Sequence, residues 1–132
     1  MTTKAAKPKE SSASRWIGYR PEIRVIDCTI RDGGLMNNHH FDDGTVKAVY
    51  QACAAAGVDY MEIGYKASRQ GIKAGEYGCW KYCREEDIRR IVGDNPTNLK
   101  LAVMADAEKC DYHEDIPPKA ESVVNMIRVA TY

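Results

Sequence analysis

The chain has 132 residues, with 19 lysines and arginines against 19 aspartates and glutamates, 44% hydrophobic residues and 29% charged ones. That length suits one domain with a genuine core. The balanced charge excludes the basic face that nucleic-acid binding needs, since the one basic cluster is Lys4, Lys7 and Lys9 in a polar leader.

The leader is expected over residues 1–20, and its opening stretch MTTKAAKPKESSAS lacks the apolar run of a signal peptide and reads as disordered. No transmembrane run follows anywhere. Five cysteines, an odd set in a chain without an export signal, point to reduced thiols in the cytosol.

The remainder, 21–132, alternates strand and helix signals. EIRVIDCT, from Glu22 to Thr29, is short and rich in β-branched residues and reads as a first strand leading into a functional loop, RDGG. In FDDGTVKAVYQACAAAGVDY, Asp42 or Asp43 can cap a helix whose Val46, Val49, Tyr50 and Cys53 recur at helical spacing, and Gly57 ends it. VDYMEIGY, from Val58 to Tyr65, follows at once as a second strand, and the three elements make a right-handed parallel βαβ unit. Residues 66–80, with Gly71, Gly75 and Gly78, predict a long mobile loop. A helix from Arg84 to Val92, a strand from Leu99 to Asp106, a short helix from Lys119 to Ser122 and a strand from Val124 to Ala130 complete the pattern. The fold class is therefore α/β with about four parallel strands. Periodicity alone leaves open half of a (β/α)8 TIM barrel and a small flavodoxin-like domain.

The most informative string is Asp27-Cys28-Thr29-Ile30-Arg31-Asp32-Gly33-Gly34, which sets an arginine beside a carboxylate at the end of the first strand. In a barrel that is the catalytic end. Asp32 offers hard oxygens suited to Mg or Mn, Arg31 can hold developing negative charge, and Glu62 on the second strand can orient Arg31 by a charge-assisted hydrogen bond. T-I-R-D-G-G followed by M-E-I-G resembles the DRE-TIM metallolyase superfamily over roughly residues 22–132, with Asp32, Arg31 and Glu62 at its eponymous positions.

The resemblance implies an aldolase or lyase working through the enolate of a 2-oxo acid or acyl thioester such as an acyl-CoA, with a divalent metal. Two departures stand out. The family's H-x-H metal pair has no counterpart, and Leu35 or Met36 stands where 4-hydroxy-2-oxovalerate aldolases carry a histidine. A full barrel takes about 250 residues. Four strands would leave two open edges, so completion by self-association or by a C-terminal half is expected.

Other residues carry weaker signals. His39 and His40 could serve as a general base, although exposed loop histidines are the commoner case. Lys66 could form an imine with a carbonyl, although a surface lysine is the simpler reading. Cys79, Cys83, Cys110 and His113 form C-x3-C and C-x2-H pairs that could hold Zn if their loops met, as a stabilising site in a non-catalytic binding module. Asp27 either supports the site or points between strand and helix. No glycine pattern matches a nucleotide fingerprint.

Overall fold

The computed structural model describes residue 18 and residues 20–131, so most of the expected leader lies outside the described residues. Four strands, β1 (Ile26–Asp27), β2 (Tyr60–Lys66), β3 (Lys100–Asp106) and β4 (Met126–Ala130), form one sheet. All three pairings are parallel and the order is β1-β2-β3-β4. A flavodoxin-like sheet reverses its strand order at a switch point, whereas an unbroken sequential order is what one arc of a barrel requires. The sheet is therefore half of a TIM-type barrel, and the doubly wound alternative falls.

Three α-helices accompany it: α1 (Thr29–Asn37), α2 (Asp43–Ala56) and α3 (Glu85–Val92). Helix α2 matches its sequence signals. The Asp42 side chain accepts from the Thr45 amide at 2.9 Å, and Gly57 closes the helix at φ 70°. Helix α1 corrects the expectation of a loop, because T-I-R-D-G-G-L-M-N winds into a helix in spite of two glycines of poor propensity. Asp27 starts it by accepting the Thr29 amide at 3.1 Å and the Thr29 hydroxyl at 2.7 Å. Tertiary packing requires the second glycine, since a methyl group on Gly34 would overlap the buried His39 ring. Taking Thr29 into α1 trims the end of the expected strand, and residues 22–25 fall outside it as well, so β1 has two residues.

One face of the sheet makes the core. Met61 and Ile63 of β2 and Leu101 and Val103 of β3 pack against Val46, Tyr50 and Cys53 of α2 and Ile88, Ile91 and Val92 of α3. Side chains alternate across a strand, so a strict alternation along β2 would send Glu62 and Lys66 to one face. The register slips between Glu62 and Gly64, and this irregularity resets the alternation. Beyond it Tyr65 pairs with Met104 and Lys66 with Ala105, which places Tyr65 on the Glu62 side and Lys66 on the helix side.

The segment after β2 is held down in its second half. Trp80 is fully buried in the 3-10 turn Cys79–Lys81, and the Gly78 amide donates to the Asn38 carbonyl at 2.9 Å. At the sheet margins apolar groups stay exposed, with Val25 before β1 at 54% and Val129 on β4 at 64%. These are the open edges that half a barrel presents.

Candidate active site

The site is built where β1 gives way to α1. Ile30 on α1 is fully buried in the core, and the helix first turn brings the neighbouring Arg31 over β2. Glu62 has no exposed surface, and Arg31 Nε donates to its Oε2 at 2.6 Å. Arg31 also pairs with Asp32 through Nη1. The predicted Arg31–Glu62 contact is thus present.

A second arginine, unforeseen in the sequence, shares the same carboxylate. Arg128 on β4 donates Nε to Glu62 Oε1 and Nη2 to Oε2, at 2.6 and 2.7 Å. An arginine inside the otherwise apolar strand MIRVA was the available clue, because a cation there must find an acid. Burial pushes the Glu62 carboxyl up, yet the hydrogen bonds from Arg128 and Arg31 outweigh it and hold the group below the usual carboxylate range. Glu62 is ionised at neutral pH, and with Asp32 on Arg31 the two guanidiniums face two carboxylates, one buried and one exposed.

Cys28, the residue before α1, donates its thiol to Glu62 Oε2 at 3.4 Å. Burial raises that thiol, and the Glu62 charge raises it further, so it stays protonated. Tyr65 completes the wall, with the Arg31 guanidinium 5.9 Å from its ring centroid and the His39 ring set edge-on at 5.2 Å.

His39 corrects an expectation, because it is only 2% exposed and not a solvent-facing loop residue. Both Asn38 and His39 adopt positive φ after α1, which folds His39 back beneath Gly34. Burial depresses its pKa to about 4, with Lys81, His40 and Arg31 adding to the effect, and such a weak base is poorly matched to proton abstraction near pH 7. His40 is exposed.

The His39 shift sets a pH dependence. The folded state keeps the ring neutral down to about pH 4, while the unfolded chain takes up a proton near 6.5. The stability is therefore full above pH 6.5 and is lost progressively as pH falls toward 4, by on the order of 3 kcal/mol. Urea denaturation between pH 7 and 5 should show this slope, and His39→Asn, which tolerates the positive φ, should flatten it.

Lys66 also departs from the surface reading. It is 3% exposed, and its Nζ donates to the Cys83 carbonyl at 2.5 Å, on the sheet face opposite Glu62. An amine so engaged has no route to the Arg31 site. The four residues considered for zinc do not assemble. Cys83 is fully buried and donates its thiol to the Trp80 carbonyl, while Cys79 lies 3.9 Å from Arg90 and His113 is exposed beside Tyr112. None of the five cysteines is paired, and among the described residues no three His, Cys, Asp or Glu side chains gather to hold a metal. Asp32, with its side chain 57% exposed, is a single carboxylate already paired with Arg31. Mg and Mn take six oxygens, so the described residues alone do not complete a site for either. No helix of the described residues is long and apolar enough to cross a membrane.

Comparison with known proteins follows the same lines. The chain is 25% identical over 115 residues to 4-hydroxy-2-oxovalerate aldolase 6 of Rhodococcus jostii, covering 86% of this chain and 31% of that one. It is 29% identical over 111 residues to the 4-hydroxy-2-oxovalerate aldolase of Carboxydothermus hydrogenoformans, and 27% identical over 110 residues to that of Moorella thermoacetica. Its homologues are 4-hydroxy-2-oxovalerate aldolases. The match is to the N-terminal part of these aldolases, and the chain spans about a third of their length. No family model matches. Among solved structures, the N-terminal domain of a candidate aldolase from Bacteroides vulgatus superposes with a TM-score of 0.64 at 24% identity, over 83% of this chain and 36% of that one. That likeness carries the fold, and it agrees with the half-barrel arrangement.

Proposed function

We propose that this chain supplies the charge-stabilising part of an aldolase-type lyase centre, acting in carbon-carbon cleavage or condensation through the enolate of a 2-oxo acid. One observation carries the reading: Arg31 is held by the fully buried Glu62 of β2, with Arg128 of β4 on the same carboxylate. Breaking or forming a bond next to a carbonyl carbon places negative charge on the carbonyl oxygen. A guanidinium fixed in advance lowers the cost of that charge without reorganising during the reaction. With Nε committed to Glu62 and Nη1 to Asp32, Nη2 of Arg31 remains to meet the oxyanion.

The relatives' name specifies a 2-oxo acid, so the substrate class is narrowed to that and the acyl thioester is dropped. Asp32 stands beside Arg31 and would contribute one oxygen to a divalent ion whose other ligands come from outside the described residues.

Oxalate tests the reading by calorimetry, because its planar dianion mimics the enolate of pyruvate and a site built for the enolate prefers such an analogue to the ground state. Oxalate should bind at least about 100-fold more tightly than pyruvate, and Arg31→Ala should remove most of that advantage. Equal affinity for the two would contradict the assignment.

A further inference from the structure

Lys81 takes no part in the reading above, and three observations converge on it. It ends the 3-10 turn after β2, with its Nζ 4.6 Å from the Tyr65 ring centroid and 5.6 Å from that of Tyr77. Tyr65 is also the ring nearest Arg31, at 5.9 Å, so the two cations share one aromatic neighbour.

Lys81 is half-buried, and among the described residues its ammonium makes no hydrogen bond or ion pair. Each arginine of the site is paired with an acid through at least one nitrogen, and Lys66 donates to a carbonyl. An ammonium resting on two aromatic faces keeps its charge, sheds part of its hydration and stays free to meet an anion.

The third observation is space. Lys81 lines a cleft of about 670 Å³ between the segments that follow β2 and β3, together with Ser68, Gln70, Lys109 and Tyr112. Burial lowers the proton affinity of Lys81, Lys109 lowers it further, and Asp106, which raises it, is already paired with Lys109 at 3.4 Å. Glu108 and Asp111 also line the cleft. Their presence suits a monoanion better than a phosphate dianion, as does the compact single charge of a lysine.

We infer that Lys81 is the anchor for a second carboxylate of the substrate, so that the site takes a 2-oxo dicarboxylic acid with its oxo end at Arg31 and its far end on Lys81. This specificity role rests on the enolate-site reading of Arg31, and the test separates the two.

The 132-residue chain is titrated calorimetrically at low salt with pyruvate, a 2-oxo monoacid, and with 2-oxoglutarate, a 2-oxo diacid. The diacid should bind more tightly by about 10-fold, the worth of one well-placed ion pair. Lys81→Met should erase that preference and leave pyruvate unchanged, whereas Lys81→Arg should keep most of it and so report that the fold survives substitution there. Equal binding of the two acids by the wild type, a preference that survives in Lys81→Met, or binding of neither acid would overturn the inference. Arg31→Met should weaken both acids alike. If Arg31→Met changes neither while Lys81→Met still removes the preference, the anchor stands and the enolate-site reading falls.

Discussion

Replacing Glu62 by alanine is expected to destabilise the chain by about 3–5 kcal/mol, the range seen when one partner of a buried ion pair is removed. The physical reason is what the substitution leaves behind. Arg31 has 12% of its side chain exposed and would lose its buried acid, keeping only the exposed Asp32, while Arg128, at 40% exposed, can recover solvent. The cost therefore falls mainly on Arg31, and the Arg128 contribution is discounted by screening. Thermal unfolding should show a fall of roughly 10–20 °C for a chain of this size. Glu62→Gln, which keeps the shape and one acceptor, should fall between. Arg128→Ala should cost about 1 kcal/mol, well under the Glu62 effect, because its partner keeps Arg31. A Glu62→Ala variant as stable as wild type would show that the carboxylate does not organise the two arginines.

The second large effect is on chemistry and separates charge from fold. Arg31→Ala should slow enolate formation by roughly 10²–10³-fold, the range for removing one preorganised oxyanion donor. Arg31→Lys should recover only part of the rate. A lysine keeps the charge, but it lacks the planar fork that allows one nitrogen to bond Glu62 while others face the substrate. If lysine restored full activity, simple charge and not the Glu62-fixed geometry would be the operative feature. Loss through substrate affinity alone, with turnover intact, would place Arg31 in ground-state binding.

Much of this arrangement was legible in the sequence, for identifiable reasons. Helix α2 carried its own punctuation, Asp42 at the start and Gly57 at the end, and the tight return into Tyr60–Lys66 dictated a parallel neighbour. The Arg31–Glu62 contact followed from placing both at the ends of adjacent strands, and the structure has it at 2.6 Å. What escaped depended on long-range packing. Gly33 and Gly34 read as a loop by propensity, yet the His39 ring needs the space that a side chain at Gly34 would fill, and the segment is helical. The register slip after Glu62 falls at Gly64, and a glycine inside a strand signals a bulge without saying which way the residues beyond it turn, so the turning of Lys66 toward the helices was not read. Lys81 sat in a glycine-rich stretch with nothing to mark it, and only the stacking of Tyr65 and Tyr77 around it gives it meaning.

The separation of the zinc residues is instructive in the same way. Cys79 and Cys83 share one short segment, but Cys83 is a core residue whose thiol is spent on the Trp80 carbonyl, and burial pushes that thiol up. A cysteine so placed acts as a small apolar side chain. Spacing alone could not distinguish that role from ligation, because the difference lies in which way the turn faces the sheet.

The most direct measurement of the central claim is the exchange of pyruvate methyl protons for deuterium, followed by proton NMR with the full chain in D2O and Mg or Mn supplied. Enolate formation is the only step this requires, so neither an aldehyde partner nor a cleavage event complicates the result. Exchange is expected well above the protein-free rate, lowered by roughly 10²–10³-fold in Arg31→Ala while the fold persists. Exchange that is no faster than buffer, or that is equally fast without Arg31, would contradict it.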